Sequence, residues 1–142
     1  MRIKKDLNII YGQGTIALEI FDQLKDVDVI ICPIGGGGLI SGISLAAKEI
    51  NPNIKIIGVQ AEGANSMELS FKTGRKLDLT NVNTIADGIA VKCPGNLTYN
   101  FIKTYYIHVI RLYLSSRCRI DIFDDIYIEY RNNLLEYYKI NN

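Results

Sequence analysis

CPIGGGGLISG occupies residues 32 to 42, and its centre is four glycines in a row, Gly35, Gly36, Gly37 and Gly38. Glycine gives up more conformational freedom on folding than any other residue. A run of four directly after an apolar, β-rich stretch implies that something outside the chain needs the backbone bare. Val27 to Ile34 lacks polar alternation beyond Asp28, which predicts a strand covered on both faces. Beyond the glycines, Leu39, Ile43, Ala46, Ala47 and Ile50 recur at helical spacing. The glycine run therefore joins the end of a strand to the start of a helix.

Working outward, the same alternation continues. Thr15 is a candidate cap for a helix through Leu24, with Ala17, Ile20, Phe21 and Leu24 on one face. Asn51-Pro52-Asn53 stops the helix after the glycines. Ile54 to Gln60 reads as a second buried strand, and Ala64 to Lys72 as a short helix ended by Thr73-Gly74. Helix and strand in alternation predict an α/β fold with a parallel sheet, because parallel neighbours need a crossover between them. The expected architecture is a partial three-layer parallel sheet with flanking helices.

The glycines predict a ligand. A helix start carries unpaired N–H groups and about half a positive charge, and ligands of open α/β sheets bind at the carboxyl ends of the strands. The natural guest is a phosphate. A tight turn alone would need one or two glycines. In the P-loop pattern Gly37 and Gly42 are correctly spaced, but Ile43 stands where lysine belongs. The dinucleotide fingerprint fails in both registers: Gly35 and Gly37 are followed by Ile40, Gly36 and Gly38 by Ser41. A dinucleotide-binding fragment is kept as a distant alternative.

Composition excludes other classes. The 142 residues are 48% hydrophobic and 22% charged, with a net charge of +1, which gives no electrostatic case for nucleic acid or an anionic membrane. No apolar run approaches the ~18 residues of a membrane span. The basic start MRIKKDLNII lacks the apolar stretch of a secretory signal, so a cytoplasmic protein is expected. Cys32, Cys93 and Cys118 form no CxxC pair, which argues for reduced thiols rather than a disulfide framework or zinc site. The lone histidine, His108, has no partner cluster and reads as structural.

One seam is visible. All twelve glycines lie between Gly12 and Gly95, and no alanine follows Ala90, whereas eight of nine tyrosines fall from Tyr99 onward. The expected division is residues 1–104 as one unit and 105–142 as a tail of different vocabulary. Leu134, Leu135 and Tyr138 in that tail fit a short helix.

GQGTIALEI, VDVIICPIGGGGLISGI, IKIIGVQAEG and TIADGIAVKCPGNLTY together resemble consecutive segments of the threonine dehydratases. These are pyridoxal-phosphate enzymes of the tryptophan-synthase-β type (fold type II), with serine racemase a near relative; the wording is closest to the catabolic threonine ammonia-lyases. The resemblance covers about Asn8 to Thr104. It implies pyridoxal 5′-phosphate as cofactor and an amino-acid substrate, threonine or serine, converted to a 2-oxo acid and ammonia in threonine catabolism or isoleucine biosynthesis. It further implies a homo-oligomer. By position, Gly35, Gly36, Gly37, Gly38 and Leu39 become the cofactor phosphate loop, and Gly88 lies beside the cofactor ring, although Asp87-Gly88 is also a plain turn signal.

The resemblance has gaps. The family's Schiff-base lysine stands before the glycine loop in an S-[FY]-K-x-R-G context. Ser70-Phe71-Lys72-Thr73-Gly74-Arg75 imitates it with the arginine one place late, and follows the loop, so Lys72 reads as a solvated charge and no catalytic residue is assigned. The chain is thus expected to be a fragment that begins midway through the catalytic domain and is inactive alone. A phosphate-binding remnant or one subunit of a split enzyme is the alternative. Family relatives hold a cation near the next strand; the matching positions are Gln60, Ala64 and Ser66. Gln and Ser in place of acids remove the charge that a divalent ion needs, so no metal is expected. After Thr104 the family pattern gives way to Tyr105-Tyr106-Ile107-His108, and a frameshifted or mis-joined tail is expected.

Overall fold

The computed structural model describes residues 7–105 and 108–112. Its first element, α1 (Leu7–Gln23), starts two turns before the predicted cap. Thr15 is therefore inside the helix, where its hydroxyl donates to the Gly12 carbonyl at 2.9 Å. Gly12 and Gly14 read locally as helix breakers, each costing about 1 kcal/mol relative to alanine. Burial of Ile10, Gly14 and Ala17 against the next helix overrides that cost.

The chain then forms β1 (Val29–Pro33), α2 (Gly38–Ile50) and β2 (Lys55–Ala61). A single-turn 3-10 segment at Glu62–Ala64 leads into α3 (Ser66–Thr73). After a long segment whose one regular piece is a 3-10 turn at Asp87–Ile89 come α4 (Asn96–Thr104) and β3 (His108–Leu112). Asn51 ends α2 as expected: its amide donates to the Ala47 carbonyl at 2.8 Å, and its side chain accepts from Asn53 N at 3.0 Å. Gly74, at φ 70, ends α3.

The three strands pair in parallel in the order β1-β2-β3. Ile30 faces Ile56 and Cys32 faces Gly58; Ile57 faces His108 and Ala61 faces Leu112. Helix α2 packs on β1 and against α1; α4 also reaches α2, and α3 reaches β3. The core joins Ile30, Cys32 and Ile34 to Ile40, Ile43 and Ala47, with Ile54, Ile56, Met67 and Ile102 closing around them. The central strand β2 is buried on both faces, as its sequence predicts. The edge strand β1 is not: Ile30 and Cys32 point into the core while Ile31 is 58% exposed. Among the described residues, no element covers the Ile31 side. Burial drives the Cys32 thiol's pKa up from 9.0 to about 12.

The predicted seam at 104/105 falls between α4 and β3, and β3 hydrogen-bonds to β2 within the same sheet. The helix predicted around Leu134 to Tyr138 lies outside the described residues. Among the described residues, no helix is long and apolar enough to cross a membrane, and no cluster of His, Cys, Asp and Glu could hold a metal ion.

Candidate functional site

The glycine loop sits where the sequence predicts, between the end of β1 and the first turn of α2. Gly37 takes φ 94, ψ 0, in the left-handed region that glycine enters without penalty. A Cβ there would also lie 2.8 Å from the Thr98 Cβ and 2.9 Å from the Met67 Cε. Gly37 is thus required by the fold itself. Gly38 is different: its φ is not positive, and a Cβ would meet nothing within 4 Å. The fold leaves room for a side chain at Gly38, and the sequence keeps it bare.

Two carbonyls of the loop are held by paired donors. The Gly36 carbonyl accepts from Thr98 Oγ1 at 2.6 Å and from the Gly95 amide at 3.2 Å. The Gly37 carbonyl accepts from Ser41 Oγ at 2.7 Å and from the Ser41 amide at 3.1 Å. No side chain caps the start of α2, so the amides of its first turn point out of the helix end, as at every uncapped helix start. Leu39, partly buried, packs its side chain against the core.

Gly88 comes to the same place from the long irregular segment. It sits in a single 3-10 turn, Asp87–Ile89, with its amide donating to Asp87 Oδ1 at 2.8 Å. The Gly88 carbonyl would lie 3.7 Å from a Cβ on Gly35, and the Ile89 Cα 3.3 Å. The structure therefore brings Gly35 to Leu39 and Gly88 together. Ser66 anchors the incoming segment, donating to the Val91 carbonyl at 3.2 Å. The open, uncapped amides and the unfilled space at Gly38 fit a phosphate group.

The other singled-out positions lie elsewhere. Lys72, on α3, pairs with Glu68 Oε1 at 2.7 Å, with its side chain 61% exposed. Gln60 is buried, and its amide is spent on main chain: Nε2 donates to the Ile34 and Ala64 carbonyls at 3.4 and 3.3 Å, and Oε1 accepts from the Glu68 amide at 3.0 Å. Sequence reasoning passed over Thr98 and Ser41. Thr98 sits in PGNLTY, sixty-two residues from its partner Gly36, and nothing local marks it. Ser41 stands four residues after Gly37 inside a helix, and that spacing was a usable signal for bonding back to a carbonyl.

A parallel sheet whose first crossover begins in a bare glycine loop at an uncapped helix start defines an α/β domain. The chain belongs to the family of pyridoxal-phosphate dependent enzymes, whose profile matches residues 4–114, a span that includes β3. It is 53% identical over 100 residues to an L-threonine ammonia-lyase of Thermotoga maritima, covering 70% of this chain and 25% of the relative. It is 52% identical over 98 residues to a catabolic L-threonine dehydratase of Escherichia coli, covering 69% and 30%. Among solved structures it resembles the processed form of threonine deaminase isoform 2 from Solanum lycopersicum, with a TM-score of 0.73 and 44% identity over 76% of this chain and 32% of that one. Maize serine racemase gives a TM-score of 0.70 and 43% identity over 73% and 32%. The chain spans about a quarter to a third of the length of these relatives.

Proposed function

We propose that this chain holds the phosphate of pyridoxal 5′-phosphate on the Gly35–Gly38 loop and the Leu39 amide, as part of an ammonia-lyase acting on threonine or serine. When bound, that cofactor supplies an electron sink for negative charge at the α-carbon of an amino acid. The carrying observation is Gly38: a position that the fold would let carry a side chain stays bare, beside uncapped amides. Gly35 keeps its neighbour Gly88 close, so the Asp87–Ile89 turn would stand at the side of a ligand anchored on the loop.

The chain's own residues bind and orient. Proton removal from an amino acid needs a base in reach, and Lys72, the lysine whose sequence context imitates the family's, lies on α3 in an exposed ion pair with Glu68. On this reading the 142-residue chain takes up the cofactor's phosphate end and does not deaminate. The two claims are tested separately. Binding is measured with 4′-deoxypyridoxine 5′-phosphate, which has no aldehyde to react with surface lysines, against inorganic phosphate, unphosphorylated 4′-deoxypyridoxine and NAD. The expected order places the phosphorylated compound first, inorganic phosphate in competition with it, and 4′-deoxypyridoxine at least about tenfold weaker, the size of a lost set of charge-assisted hydrogen bonds. Preference for NAD, or equal binding of 4′-deoxypyridoxine, overturns the reading. Formation of 2-oxobutanoate from threonine above the rate given by free cofactor overturns the claim of inactivity.

A further inference from the structure

Thr98 is buried, with 1% of its surface exposed, and its hydroxyl reaches across from the first turn of α4 to the Gly36 carbonyl. We infer that Thr98 is a positioning residue for the anion loop, setting the direction of the Gly37 amide. This rests on the proposed phosphate-binding role of the loop and deepens it.

The described backbone has no cis peptide bond, so in the Gly36–Gly37 unit the C=O and the N–H point in opposite directions. Two donors, Thr98 Oγ1 and the Gly95 amide, hold the Gly36 carbonyl toward α4. The Gly37 N–H must then point away from α4. Ser41 does the same for the next unit: its amide and hydroxyl hold the Gly37 carbonyl, which turns the Gly38 N–H out of the helix end. Between glycines, a peptide plane has little to stop it rotating. The paired donors supply the missing restraint. Thr98 also fills the space beside Gly37, where a Cβ would strike it. Removing the hydroxyl leaves the carbonyl with the longer Gly95 contact alone and frees the plane to turn.

The test uses the full chain, labelled with nitrogen-15 and titrated with inorganic phosphate while amide shifts are followed. In the unaltered protein, phosphate should move the Gly37 and Gly38 amides and leave Gly95 in place. Thr98→Val, nearly isosteric, should weaken phosphate binding by about tenfold, the effect of one lost hydrogen bond on an anion site. Thr98→Ser should restore it to within about twofold, which a role in packing alone would not do because serine lacks the methyl group. If Thr98→Val binds phosphate as the unaltered chain does, the inference falls and the phosphate site stands. If the unaltered chain shows Gly38 responding and Gly37 silent, the inference falls even should the valine variant not fold. If no amide from Gly35 to Leu39 responds in the unaltered chain, the phosphate site itself falls, and the positioning role with it.

Discussion

Gly37 and Gly38 are chemically identical neighbours in different surroundings, and single substitutions separate them. Gly37→Ala puts a methyl group at φ 94 against Thr98 and Met67; it should cost about 1–3 kcal/mol of stability, by overpacking and strain, measured by urea unfolding. Gly38→Ala meets open space at the first position of a helix. It should leave stability equal or raise it by up to about 1 kcal/mol, while weakening binding of 4′-deoxypyridoxine 5′-phosphate. A Gly38→Ala protein that binds undiminished would remove the reason for a bare loop. Cys32 makes a pH prediction. Its thiol stays neutral in the fold up to about pH 12, whereas it ionises from about 9 when unfolded. The unfolded chain therefore releases that proton first, and stability falls as pH rises through this window, by at most about 1.4 kcal/mol per pH unit from this group. The slope should be shallower in Cys32→Ala, and alkylation mapped by mass spectrometry should spare Cys32 at neutral pH while the fold persists. The glycines were legible at this scale because composition alone marks them. Thr98 was not, since its importance lies in a partner far away in sequence.

Elements follow the same division between local and distant causes. β1, β2 and α2 were legible, the strands as short apolar runs and α2 by its helical spacing, with glycine, asparagine or proline at their ends; β3 was not, because it falls in the tail expected to be out of frame. The start of α1 was not. Gly12-Gln13-Gly14 carries the local signature of a break, yet Gly14 is where α1 crosses α2 closely: a Cβ on Gly14 would sit 3.1 Å from the Gly42 carbonyl, and one on Gly42 would run into the Ile10 carbonyl. Two helices approaching backbone to backbone can use glycine inside both. Gly42→Ala should therefore cost about 1–3 kcal/mol, whereas Gly12→Ala, with nothing within 4 Å, should stabilise by up to about 1 kcal/mol. Comparison of the two by thermal unfolding checks the crossing. Equal effects would mean that α1 and α2 do not meet this way. Truncation after Thr104 removes β3 and uncovers one edge of β2; a loss of cooperative unfolding is the expected result.

At the scale of the molecule, the described residues cover one face of β1 and leave the other open. β2 is covered on both faces while β1 presents Ile31 outward, so the sequence's promise of two-sided burial holds for the central strand only. An apolar run shows that a strand is meant for a dry setting; it does not show which element supplies the covering. Ile31→Thr should change stability by less than about 0.5 kcal/mol, while Ile30→Thr should cost 2 kcal/mol or more, about the value of one buried side chain lost. Gly36 leaves the ribosome sixty-two residues ahead of the Thr98 hydroxyl that holds it, a delay of roughly 3–12 seconds at ordinary elongation speeds. A nascent chain stalled before α4 therefore carries every glycine of the loop and still lacks the latch, so on the proposed reading competence to grip an anion would arrive with α4 rather than with the motif itself.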